Sequence, residues 1–193
     1  TSNPSNVFNP ANLGPAGVAF QAPGSAPRWT GTINSSGLAA RPINSDVRDV
    51  DAGDTVTFAI TVENTGTSLK GAFDIRIADV LQPEYQIPAT GLNLQVYYGN
   101  RTGPIAYTGI AAPGNCTGSW PGDPCGPDGT ADTADDLFGW GIELIDPVGS
   151  GVCQAHDPNL GKNVILITYD LQIRTIVAPG NVINTETLLH YAG

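Results

Sequence analysis

Methionine is absent from this 193-residue chain, and histidine occurs only twice. Neither histidine lies beside a Ser-centred turn, so a hydrolytic triad is hard to build. G-x-S-x-G, H-E-x-x-H, P-loop and dinucleotide-binding patterns are missing too. The chain is expected not to be an enzyme. Basic residues are scarce: eight Lys and Arg against eighteen Asp and Glu leave a formal charge of −10. Nucleic acid and anionic membrane surfaces need clustered cations and are excluded as partners by that balance. No apolar run approaches the ~18 residues that span a bilayer, so no membrane insertion is expected. Helical spacing of apolar residues never lasts beyond a turn or two, which argues against helices.

Gly (24) and Pro (16) are plentiful, and charged residues make up only 13%. That composition favours many short strands punctuated by turns. Val56, Phe58, Ile60 and Val62 alternate with Thr55, Thr57, Ala59 and Thr61, a period of two that places one face in a core. Asn64-Thr65-Gly66 ends this strand, since Asn and Gly tolerate the positive φ of a turn. Phe73, Ile75 and Ile77 resume the alternation. Further strands are read over Leu92–Tyr98 and Leu137–Asp146, with Ile105–Thr108 pairing back on the first of these. Asn163–Ile176 carries the longest signal; apolar on both sides at its start, it belongs at the centre of a sheet. Asn181–Tyr191 follows as the last strand.

The run Asp51-Ala52-Gly53-Asp54-Thr55-Val56-Thr57-Phe58, then Glu63-Asn64-Thr65-Gly66, then a strand closing on Asp79-Val80-Leu81, resembles the "conserved repeat" Ig-like domains of prokaryotic surface proteins. The related isopeptide-forming fimbrial domains share the pattern. Val177-Ala178-Pro179-Gly180 and Ile183-Asn184-Thr185 extend the likeness to the end of the chain. The resemblance implies an all-β, Ig-like β-sandwich of seven to nine strands, extracellular or at a cell surface. In the isopeptide-forming relatives a Lys of the first strand bonds an Asn of the last, promoted by an acidic residue. Asn184 matches that Asn. No Lys precedes Lys70, which falls in a turn, and Lys162 is a poor substitute, so this crosslink is not expected.

Residues 1–27 carry Pro4, Pro10, Pro15, Pro23 and Pro27 and cannot fold alone. This arm precedes a sandwich over residues 28–193, whose first strand is read at Trp29–Asn34. Val7, Phe8, Val18 and Phe20 are the arm's apolar anchors. They are expected to dock on another copy of the chain as a donated strand, because an open sheet edge accepts one. Thr1-Ser2-Asn3-Pro4 reads as the start of a processed chain.

Residues 111–136 interrupt the pattern with a long Gly, Pro and Asp-rich insertion, expected to be functional or pinned. Cys116 and Cys125 lie in it and Cys153 beyond it. One disulfide and one spare thiol fit an exported protein. Cys116 with Cys125 is the shortest closure, and spacing leaves both pairings with Cys153 open. Asp123, Asp128, Asp132, Asp135 and Asp136 crowd the insertion without a basic residue between Arg101 and Lys162. Such carboxylates suit Ca²⁺, with Asp128, Asp132, Asp135 and Asp136 as ligands; the alternative is a solvated acidic loop. Sequons at Asn34, Asn100 and Asn115 could carry a glycan. Two functions follow from this reading. One is a structural subunit of an extracellular filament or surface layer, a homopolymer built by strand donation. The other is an adhesive or carbohydrate-binding module of a larger surface protein, calcium-dependent through the acidic loop.

Overall fold

The structure, a computed structural model, describes residues 15–43, 50–177 and 187–192. Ten strands occur among them: β1 (Ala19–Phe20), β2 (Trp29–Thr30), β3 (Thr55–Glu63), β4 (Phe73–Asp79), β5 (Tyr85–Gln86), β6 (Gln95–Tyr98), β7 (Tyr107–Gly109), β8 (Ile142–Leu144), β9 (Val164–Ile173) and β10 (Thr187–Ala192). The fold is an all-β sandwich. Its count exceeds the seven to nine expected because β1, β2 and β5 are two-residue pieces that leave no periodic signal.

β9 sits at the centre of one sheet, as its two-sided apolarity predicts. β3 pairs along one edge, from Thr55 opposite Gln172 to Glu63 opposite Val164; β5 and β6 share the other edge. The second sheet runs β10-β4-β8-β7, antiparallel throughout. Side chains of both sheets meet in one core, with Ile75 and Ile77 of β4, Ile142 and Leu144 of β8, and Ile165, Ile167 and Tyr169 of β9 all buried. The Tyr169 hydroxyl donates to the Asp79 carboxylate and so ties the sheets together at the end of β4. Val56 and Val62 of β3 are buried and Phe58 and Ile60 half-buried, which is the face that the alternation assigns to the core.

Several local expectations are corrected. Trp29–Asn34 is not a strand of the sandwich: only Trp29–Thr30 is extended, and it pairs with Ala19–Phe20 outside both sheets. A helix follows, α1 (Ser35–Ala40), where none was expected; the Asn34 side chain caps it by accepting from the Gly37 N–H at 2.8 Å. The Asn64 turn closes through its side chain, which accepts from Gly66 N–H at 2.9 Å. Leu137–Asp146 is not one strand. Ala134–Phe138 is a 3-10 helix, because Thr133 and Asp136 cap its start reciprocally. Ile105 does pair back on the preceding strand, its N–H reaching the Val96 carbonyl at 2.8 Å, before β7 crosses to the other sheet.

Candidate functional site

Residues 15–43 form a layer on the outer face of β9. A strand apolar on both faces needs two covers, and the opposing sheet supplies only one. Val18, Trp29 and Ile33 supply the other against Val164 and Leu166, all of them buried, with Phe20, Leu38, Ile43 and Tyr97 packed around them. In this chain, therefore, Val18 and Phe20 seat on their own domain; Val7 and Phe8 lie outside the described residues.

A charge is sealed beneath the layer. Arg28 and Asp170 are both fully buried, with Nη2 to Oδ2 at 2.7 Å. Thr57 Oγ1 donates to Asp170 Oδ1 at 2.6 Å, and Asn93 Nδ2 to Oδ2 at 3.0 Å. Arg28 Nη1 donates to the Ser25 carbonyl, which Gln95 Nε2 also reaches at 2.8 Å. The network joins the layer to β3, to β9 and to the chain entering β6. Sequence reasoning missed it, since the partners stand 142 residues apart.

Among the exposed apolar side chains of the described residues, two groups bear on contacts with a partner. Among the described residues β10 pairs with β4 alone, and it is exposed at all six residues, including Leu188 (50%), Leu189 (44%) and Tyr191 (68%). Leu189 stands opposite Ile77 and shares its core-facing side of the sheet, yet nearly half of it is open to solvent. The second feature is a pair of indoles, Trp120 (37%) and Trp140 (53%), on the acidic insertion and its flank.

The insertion is ordered by its own chain. Cys116 and Cys125 are disulfide-bonded, a closure that stabilises by roughly 2–3 kcal/mol on the chain-entropy estimate. Its aspartates accept hydrogen bonds from within the loop. Asp123 takes the N–H groups of Thr117, Ser119 and Cys125 at 2.9, 3.1 and 2.9 Å. Asp128 accepts from Thr130 N–H, Asp135 from Asp128 N–H, and Asp136 from Asp132 N–H, each at 2.7 Å. Asp132 accepts from Thr108 Oγ1 at 2.7 Å and Gly109 N–H at 3.0 Å, which pins the loop to β7. No group of three or more His, Cys, Asp or Glu that could hold a metal ion is assembled among the described residues.

These carboxylates predict an unusual pH profile. Burial, reinforced by the charges of Asp135 and Asp132, raises Asp136 from 3.8 to about 6; burial raises Asp135 and Asp79 as well. Hydrogen bonding, led by the Cys125 N–H, lowers Asp123 to about 2. A raised carboxyl binds its proton more tightly when folded. Its contribution is complete below 3.8 and lost as pH rises through about 6. Asp123 acts oppositely: its contribution is present above 3.8 and lost as pH falls toward about 2. Thermal stability is expected to peak between those limits and to fall by a few °C toward neutrality, at ~2–4 °C per kcal/mol for this size. Melting curves across pH check this. In Asp136→Asn, which retains an acceptor for Asp132 N–H, the limb above pH 5 should flatten.

Cys153 is buried and free; its thiol donates to the Asn163 carbonyl at 3.2 Å, and burial pushes its pKa up to about 11. A protonated, enclosed thiol is no nucleophile. His156 Nδ1 lies 3.2 Å from Asn163 Nδ2 and takes part in that buried amide's surroundings. Of the sequons, Asn34 is engaged at both ends of its amide: Nδ2 donates to the Asn159 carbonyl at 2.9 Å while the oxygen caps α1. Asn100 closes a turn on Thr102 N–H at 3.0 Å, and Asn115 is exposed. Asn184 falls outside the described residues. No helix among the described residues is long and apolar enough to cross a membrane. Compared with protein-family models, curated proteins and solved structures, the chain matches none.

Proposed function

We propose that this chain is a structural subunit of an extracellular filament or surface layer, assembling with copies of itself by donating its N-terminal arm. The observation that carries the reading is β10. An edge strand whose outer side has no partner among the described residues, with Leu188, Leu189 and Tyr191 exposed, is a template for another chain. Filling that edge from a second copy turns a liability into a contact. A head-to-tail contact of this kind need not close, so it propagates. The Cys116–Cys125 disulfide fits an oxidising exterior, and the enclosed Cys153 thiol fits a non-enzymatic role. Leu189→Lys tests the reading. A charge in the middle of a half-exposed edge should abolish assembly while moving the melting temperature by no more than a surface substitution does, about 0.5 kcal/mol or less. Filaments that form unchanged in Leu189→Lys would remove β10 from the contact.

The second reading, an adhesive or carbohydrate-binding module, is favoured by Trp120 and Trp140. Exposed indoles, Trp120 inside the disulfide-closed loop and Trp140 on the flank of the insertion, offer flat apolar faces at low entropic cost. Ca²⁺ at Asp128, Asp132, Asp135 and Asp136 belongs to that reading, and an EDTA-insensitive melting curve would remove it. Binding of a soluble oligosaccharide that quenches tryptophan fluorescence, and is lost in Trp140→Ala, would favour the module.

A further inference from the structure

We propose that residues 15–43 are an exchangeable layer: in the assembled protein the layer of one copy seats on β9 of the next, with Arg28 pairing to Asp170 across the interface. This rests on the reading that the chain assembles with itself, and it adds a second contact, on β9 of the neighbour, to the one at the β10 edge.

The layer is detachable in its bonding. Among the described residues its strands β1 and β2 pair only with each other, so lifting it breaks no described ladder of either sandwich sheet. Backbone bonds to the domain are isolated ones, such as Ile33 N–H to the Gly99 carbonyl and Ser36 N–H to the Pro158 carbonyl, both 2.9 Å. In sequence the layer precedes every strand of the two sandwich sheets, and one backbone connection leads from it into them. Its buried cluster, shared with Val164 and Leu166 of β9, is separate from the core between the sheets.

The seat, in contrast, cannot stand empty. Without the layer Val164 and Leu166 face water, and Asp170 keeps Thr57 and Asn93 but loses its cation. A buried carboxylate without its partner is strongly destabilising. A foreign peptide would need an indole, a branched aliphatic side chain and a guanidinium at matching positions. The layer of another copy has all of these in register. Exchange therefore makes the same contacts that it breaks, which is the condition for low-cost domain swapping, and the buried pair rejects other occupants.

The rim of the seat provides the test. Ser36 Oγ lies 3.3 Å from Asn159 Oδ1 at an exposed position, while Cys153 is enclosed. In the full chain carrying Ser36→Cys and Asn159→Cys, oxidation of assembled material should give a ladder of covalent multimers on a non-reducing gel. Oxidation of dispersed monomer before assembly should lock the layer in its own chain, leaving no pelletable material until a reductant is added. Filaments that contain only intrachain crosslinks, or that form equally from the locked monomer, overturn the exchange and leave the filament reading standing. If the protein without the two substitutions shows no assembly by microscopy or sedimentation, the filament reading falls and the exchange with it.

Discussion

Replacing Arg28 by Met is expected to remove about 3–5 kcal/mol of folding stability, the cost of leaving a buried charge uncompensated. Asp170 would keep Thr57 and Asn93 as donors but lose the guanidinium that neutralises it. At ~2–4 °C per kcal/mol, the melting temperature should drop by roughly 6–20 °C. Asp170→Asn should cost a similar amount by stranding Arg28 instead. The double variant should lose clearly less than the sum, because the two residues share one interaction. Denaturant unfolding of the four proteins reads this cycle. A single-variant loss below about 1 kcal/mol, of the size seen for exposed pairs, would mean that the pair is open to water.

The second large effect lies on the same strand. Leu166→Ala should cost about 2–5 kcal/mol, the usual range for truncating a buried leucine. Leu166 and Ile167 are neighbours in β9 that face opposite ways: Leu166 belongs to the cluster under the layer and Ile167 to the core between the sheets. Ile167→Ala should lose a comparable amount. The two differ in where they loosen the protein. Hydrogen exchange should accelerate across residues 15–43 ahead of the sandwich in Leu166→Ala, and with global unfolding in Ile167→Ala. Equal patterns in the two variants would make the layer an inseparable part of the fold.

Much of the sandwich was legible because its strands carry period-two patterns or two-sided apolar runs. β9 announced its central place through Val164 to Ile167, and β3 its core face through Val56 and Val62. The same two-sidedness held a clue that went unused: a strand with Leu166 on one face and Ile167 on the other needs a cover beyond the partner sheet. The cover is split between the Pro-rich arm, which holds Val18, and Trp29–Asn34, whose Trp29 and Ile33 read as part of a sandwich strand. The Arg28–Asp170 pair was illegible because charge complementarity 142 residues apart leaves no local signal. α1 could have been found: Asn34 followed by Ser35 and Ser36 ahead of Leu38-Ala39-Ala40 is an N-cap pattern. Phe138 and Trp140 looked like one strand face, but the Thr133–Asp136 cap winds that stretch, leaving Phe138 buried and Trp140 exposed. The clustering of the aspartates is a matter of composition, and composition does not show that their oxygens turn inward to the loop's own N–H groups.

The measurement that bears most directly on the account is negative-stain microscopy of the native protein, taken from its cells and examined again after concentration. The account predicts filaments or a regular layer of one repeating subunit, with dispersed protein polymerising as concentration rises. Particles that stay single and monomeric at every concentration would contradict it.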